Sequence, residues 1–136
     1  MADAQDPPPT PPSTPPSKPP QSPGGGMTDT TATLAQCKAL VDAFVAERDW
    51  HRFHQPKNLA MSIAIEAAEL MEHFQWPEGE STEGIQADAE RMQGVREELS
   101  DVLAYAFSLA NALDIDIAAA FQSKMAHNAR KYPPPP

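Results

Sequence analysis

Proline is confined to the margins of this chain and to two interior positions. Ten of the 16 prolines fall within residues 1–26, four close the chain at 133–136, and only Pro56 and Pro77 stand between. Proline lacks a backbone N–H and clashes with the preceding turn. Its placement therefore bars helix at both ends and leaves long interior stretches free to be helical.

Residues 1–26 end in Gly24-Gly25-Gly26 and carry almost no apolar side chains. Such a segment cannot offset the entropy of ordering itself, so residues 1–27 are expected to be a disordered tail. Met27 follows the glycines directly and is a candidate start. Residues 28–133 form the expected folded domain, and 134–136 a short disordered Pro tail. A domain of this size buries a modest core, and small domains often rely on oligomerisation. One cysteine, Cys37, excludes an internal disulfide framework. No basic-plus-apolar leader and no run of 18 apolar residues occurs, so a cytoplasmic, membrane-free protein is expected. The formal charge of −9 argues against nucleic-acid polymers and anionic membranes, and is compatible with cations.

The apolar spacing is helical throughout. A first helix is expected over 31–52, with Leu34, Leu40, Val41, Phe44 and Val45 near the repeat and Thr31 or Thr33 as cap. Pro56 fits the first turn of a second helix, 57–75, whose stripe is Leu59, Ile63, Ala67, Leu70 and Phe74. Pro77 and Gly79 end it. A third helix is expected over 85–113, weakened at Gly94, with Val95, Leu99, Val102, Leu103, Ala106, Leu109, Ala110 and Leu113 facing inward. Asp114 and Asp116 flank a break before a fourth helix, 116–131. No strand pattern competes. The fold class is all-α, a four-helix antiparallel bundle. Helix one and the back of helix three carry more apolar residues than one small bundle hides, so completion by oligomerisation is expected.

Two acidic pairs sit inside the most apolar helices, in "IEAAEL" and "REELSDVLAY". Residues three apart on an α-helix project within roughly 60° of each other. Glu66 and Glu69 therefore share a face, as do Glu98 and Asp101. If the two helices pack side by side, four carboxylates converge at the edge of the core and repel one another. Protonation, basic partners or metal must offset that. Mg²⁺ is typically held by a few carboxylates plus substrate phosphates and water. The alternative is a solvated acidic helix face, as Glu72 and Glu97 suggest. A di-iron bundle site wants Glu-x-x-His motifs, and none is present. His73 falls about 20° from Glu66 on the helix wheel; packing beside the acids is the favoured reading over contact with a metal.

The stretches "ERDWHRFHQPKNLAMSIAIEAAELMEHFQW" and "REELSDVLAYAFSLANALDIDIAAAFQSKMAHNARKYP" resemble the MazG-like all-α nucleotide pyrophosphohydrolases, and within them the dCTP pyrophosphatase branch. The resemblance covers roughly residues 33–133. E-x-x-E alone is a weak motif; its order with E-E-L-S-D, F-H-Q-P-x-N and the terminal K-M-x-x-N-x-x-x-Y-P is specific. The resemblance implies that Glu66, Glu69, Glu98 and Asp101 are the catalytic Mg²⁺ ligands, with Mn²⁺ able to substitute. It implies cleavage of a nucleoside triphosphate to monophosphate and pyrophosphate, with one of these glutamates, or neighbouring Glu97, orienting the water. It places Trp50, His54 and Trp76 around a nucleobase, Asn58 and Tyr105 near the sugar, and Lys124, Asn128 and Tyr132 near the phosphates. It implies a homodimer or homotetramer. Aromatic faces and an imidazole suit base recognition. Closing the core is the competing account for Trp76, packing fits Tyr105 equally well, and a favourable helix C-terminus accounts for Arg130 and Lys131. Val41 departs from the branch, whose vertebrate members carry histidine there.

Two further functions fit the same residues. One is a pyrophosphohydrolase for another nucleotide, such as dUTP. The other is a non-enzymatic helical interaction module whose acids are surface and whose aromatics are interface.

Overall fold

The computed structural model describes residues 26–75 and 81–135. Nearly all of the Pro/Gly-rich tail, the final Pro136 and the stretch 76–80, Trp76 included, lie outside them. Five α-helices follow in order: α1 (Leu34–Glu47), α2 (Pro56–Glu72), α3 (Thr82–Ala87), α4 (Ala89–Ala112) and α5 (Ile117–Lys131), with a 3-10 turn, His51–Phe53, between α1 and α2. No strand occurs among the described residues, and the fold is all-α.

Local chemistry explains where the helices begin. Thr33, not Thr31, caps α1 in a capping box: its hydroxyl accepts from the Gln36 N–H while Gln36 accepts from the Thr33 N–H. Pro56 opens α2, where its missing N–H is no loss. Asp88 and Asp116 accept from the N–H groups of Arg91 and Ala119 and cap α4 and α5.

Helix ends depart from the expected spans: α1 begins three residues late at Leu34 and α2 ends three residues early at Glu72. The first helix stops at Glu47, five residues early, because Asp49 turns left-handed at φ 53°. The Asp49 and Trp50 N–H groups then bond back to the Ala46 and Val45 carbonyls, each at 3.0 Å. That pattern is a Schellman closure, normally built on glycine. α4 ends the same way: Asp114 has φ 51°, and the Ile115 N–H reaches the Ala110 carbonyl at 2.8 Å. The third expected helix is two helices, broken at Asp88, whose extended backbone (ψ 97°) serves as C-cap of α3 and N-cap of α4.

Gly94 does not break α4. Its missing side chain admits the His73 ring from the end of α2: a Cβ there would collide with the His73 Cε1 and lie 2.8 Å from Nε2.

The packing is centred on α4. Its main contact is with α2, then α1, then short α3; among the described residues α5 has no comparable partner. α5 instead leaves α4 at 105°. Lys38 ties α1 to this corner, donating from Nζ to the Ile115 carbonyl at 2.8 Å, while Asn111 donates to the Lys38 carbonyl at 3.0 Å. The buried apolar residues among those described are Val45, Leu59 and Ala110, one from each of the three packed helices.

Much apolar surface stays open. Leu99, Leu103 and Leu113, expected to face inward, are 48%, 47% and 50% exposed. The reason is geometric: α1 and α2 cover only part of α4, and α5 swings away from the rest. Phe74, at the end of the α2 stripe, is likewise exposed. α2 also has a second apolar face. Leu59, Ile63 and Leu70 share the more buried face, whereas Met61 and Ile65 lie roughly opposite on the wheel and Met71 to one side, all three exposed.

Candidate active site

Glu66 and Glu69 stand one turn apart on α2, and Glu98 stands on α4 across the most closely packed helix pair. Each offers a carboxylate oxygen, and the three oxygens lie within 4.8 Å of one another. Glu66 and Glu98 are half-buried and Glu69 is exposed, so the cluster opens to solvent at the edge of the seam.

Electrostatics records the crowding. The Glu66 carboxyl is raised above its ordinary range by burial first, then by Glu69, Asp101 and Glu98. Burial, then Glu69 and Asp101, raise Glu98, while His73 pulls it back down. Asp101 is raised by burial, Glu69 and Glu97. Asp101 thus feels the cluster's charge, but its oxygens fall outside the tight group of three. An all-oxygen, mutually repelling set of this kind fits a hard divalent cation such as Mg²⁺, which also keeps waters and substrate oxygens as ligands.

Tyr105 connects this cluster to the neighbouring turn. It lies one helical turn beyond Asp101 on α4, and burial, then Glu66 and Asp101, raise its hydroxyl. Ser62, one turn before Glu66 on α2, pulls it back down. The Tyr105 ring meets His54 with centroids 6.4 Å apart and planes 38° apart. Burial, then the charge of His51, lowers His54 below its ordinary value, so its imidazole is a neutral donor and acceptor. Asn58 pins the 3-10 turn by donating to the Phe53 carbonyl at 3.0 Å. Trp50 packs edge-on to Phe44 at 5.9 Å, and Arg48 lies 3.6 Å over the same Phe44 ring.

The expected residues therefore separate into groups. The structure gathers Glu66, Glu69 and Glu98, sets Asp101 and Tyr105 beside them, and lines His54 up behind Tyr105. Trp50 and Asn58 sit on or next to the same turn. Trp76 lies outside the described residues. Lys124, Asn128 and Tyr132 ride on or just past α5, which helix packing within the chain does not bring to the carboxylates. Two contributors went unread in the sequence. Ser62 precedes Glu66 by four residues, a spacing that puts both on one helix face. The contact between His73 and Gly94 joins residues 21 positions apart and has no local signature. An open cleft of about 1010 Å³ between α1 and the α4–α5 corner, lined by Lys38, Asp42, Asn111 and Asp114 among others, includes none of Glu66, Glu69, Glu98 and Asp101.

Comparison with known proteins bears on this geometry. A model of the MazG-like family matches residues 61–135. The chain is 39% identical over 120 residues to rat dCTP pyrophosphatase 1, covering 80% of this chain and 70% of that protein. It is 42% identical over 112 residues to human dCTP pyrophosphatase 1, covering 82% of this chain and 65% of the human one. It thus spans about two thirds of the length of these relatives. The crystal structure of a pyrophosphatase from Archaeoglobus fulgidus superposes with a TM-score of 0.67 at 40% identity, covering 74% of this chain and 93% of that one.

Proposed function

The chain belongs to the MazG-like family, and on that premise we propose that it is a Mg²⁺-dependent nucleotide pyrophosphohydrolase converting dCTP and water to dCMP and pyrophosphate. One observation carries the reading: three carboxylate oxygens from two packed helices within 4.8 Å. The choice of dCTP follows the names of the rat and human relatives. Mn²⁺ can replace Mg²⁺ at an oxygen-only set.

A divalent cation bound there supplies charge neutralisation for the triphosphate and a more acidic water. The protein's own groups do the rest. Glu66, Glu69 and Glu98 hold the reacting end, and Asp101 completes the acidic set beside them. Water adds to phosphorus as the α–β anhydride breaks, and an ionised carboxylate of the set takes up the proton. Tyr105 stands between this end and the neutral His54, with Asn58 holding the turn; base stacking is assigned to Trp50 and Trp76 on the family resemblance alone. Lys124, Asn128 and Tyr132 supply phosphate contacts. Because α5 stands apart from the acids within one chain, we assign those contacts to a homodimer or homotetramer. The exposed apolar faces of α2, α4 and α5 support assembly: Met71 is 69% exposed and Phe121 66%. Sedimentation analysis tests it, and a monomer at micromolar concentration would refute it.

Incubation with a dNTP panel and Mg²⁺ tests the activity. dCMP and pyrophosphate in equal amounts are expected; orthophosphate as the only inorganic product would indicate a different hydrolase. Glu69→Ala is expected to lower kcat by about 10²–10³-fold, by analogy with loss of one charge-stabilising group. Circular dichroism of that variant stays unchanged, since Glu69 is exposed.

A further inference from the structure

We propose that His73 is a positioning residue for the acidic site: its ring, seated in the notch that Gly94 leaves in α4, fixes the register of α2 against α4 and so holds Glu69 opposite Glu98 for a divalent cation. The proposal rests on the metal-dependent reading above and names what keeps the ligands of that metal together.

The register shows in four successive meetings along the seam. The His73 ring fills the place of a Cβ at residue 94, with Nε2 2.8 Å and Nδ1 3.1 Å from that position. One rung further, carboxylate oxygens of Glu69 and Glu98 lie within 4.8 Å. Beyond them Glu66, after burial and Glu69, feels the charge of Asp101. Ser62 then acts on the Tyr105 hydroxyl, against the burial that raises it. The steps from His73 back to Ser62 are four, three and four residues, and those from Gly94 forward to Tyr105 are the same. Intervals of three and four keep to one helix face. Two facing stripes thus run antiparallel, and His73 occupies the rung next to the acids. Its nearness to Glu98 is felt there: burial and the neighbouring acids raise Glu98, and His73 opposes them.

The acids need such a device. Ionised Glu69 and Glu98 repel each other and push the two helices apart or along one another. α4 has no second glycine, so a slip of one turn, about 5.4 Å, would press the His73 ring onto a residue that carries a Cβ. Close-packed seams resist such overlap, which makes the register discrete. Glycine inside a helix otherwise weakens it; here it admits a ring that ties α2 to α4 beside the ligands. His73 acts through shape and not as a ligand, since neither of its nitrogens belongs to the group of atoms close enough to share an ion.

The test is Mn²⁺ binding to the full chain without nucleotide, at fixed pH, read from the electron paramagnetic resonance of the free ion. His73→Ala empties the notch, and Gly94→Ala pushes the ring out of it. Each is expected to weaken Mn²⁺ binding roughly tenfold, the low end for losing a group that orients metal ligands. His73→Leu refills the notch without nitrogen or charge and should bind nearly as the wild type does. Gly94→Ala placed in the His73→Ala background should weaken binding little further, because no ring is left to displace. If His73→Ala loses helix by circular dichroism, Gly94→Ala against His73→Leu carries the same comparison. A merely structural role would lower the Tm of the metal-free protein and leave Mn²⁺ affinity unchanged. Unchanged affinity in the alanine variants, or His73→Leu as weak as His73→Ala, overturns the proposal while the hydrolase reading stands. A wild type that binds no Mn²⁺ overturns the metal-dependent reading, and the proposal with it.

Discussion

The α2–α4 seam and α5 carry the two halves of the expected site in opposite conditions. The seam is the best-packed part of the chain, and it places three acids within 4.8 Å. α5 carries Lys124, Arg130 and Lys131, yet it turns 105° from α4 and finds no main partner among the described residues. The difference follows from electrostatics and packing together. Converging like charges need a rigid frame to stay together without a ligand, so the acids sit on the tightest helix pair. Cations that meet an anionic substrate need no such frame until it binds. On the proposed function, one chain preforms the acidic end of the site, and the cationic end is the part left to assembly.

The largest effect that can break this contrast comes from core deletion. Leu59 is 1% exposed, and Leu59→Ala is expected to cost about 2–5 kcal/mol in urea unfolding, the range for a buried leucine leaving a cavity. Phe121→Ala, on the exposed face of α5, should cost far less in dilute protein and more as concentration rises. Equal, concentration-independent costs would mean that α5 is covered within one chain, and the contrast would fail.

How much of this was legible follows the same division. The acidic spacing on α2 and α4 was readable because an i, i+3 relation is local and helix geometry is regular. Pro56 was readable as a helix-start signal for the same reason. Asp49 was not. Schellman turns announce themselves with glycine, and an aspartate in the left-handed region looks like any other acid on a helix. The 105° turn of α5 was equally hidden, since apolar periodicity gives a helix a face but no partner. Leu99 and Leu103 were expected to be buried on that ground and are not. Gly94 looked like a weakness because glycine lowers helix propensity; its meaning lay in His73, a ring from another helix.

Gly94 also offers the next test of the seam. Gly94→Ala favours the helix by roughly 0.5–1 kcal/mol but drives a methyl into the His73 ring. Overpacking of this kind costs about 1–3 kcal/mol, so a net loss of stability is expected. In a His73→Ala background the ring is gone and the same substitution should stabilise. A double-mutant cycle reads the change of sign; two additive substitutions would show that ring and glycine do not meet in solution.

Proton linkage gives a smaller effect. Glu66 and Glu98 hold their protons more tightly folded than unfolded, because burial and neighbouring carboxylates raise them. Their contribution to stability is greatest below the unfolded carboxylate value and is lost as pH rises through the raised folded values. Metal-free protein should therefore gain a few degrees in Tm on going from about pH 7 to about pH 5. His54 opposes this, since a lowered imidazole loses stability as pH falls. Glu66→Gln isolates the carboxylates by flattening the slope, and saturating Mg²⁺ should flatten it too by fixing the ionised form. A slope untouched by both would place its source elsewhere than the acidic cluster.

The smallest effect compares the two left-handed aspartates. Asp49 lies beside the packed body and Asp114 at the corner where α5 departs. Glycine suits the left-handed conformation, yet it also enlarges the unfolded ensemble. Each Asp→Gly change should therefore stabilise by less than about 1 kcal/mol. Asp49 also approaches Arg52 at 3.8 Å, an exposed pair worth little, so its gain should be the smaller of the two. Asp114→Gly has a second consequence. If the aspartate only tolerates the turn, glycine keeps the α5 angle and the oligomeric state is unchanged by sedimentation. If Asp114→Gly instead alters assembly, the carboxylate itself sets the direction of α5, and the geometry of the cationic half of the site depends on that one residue.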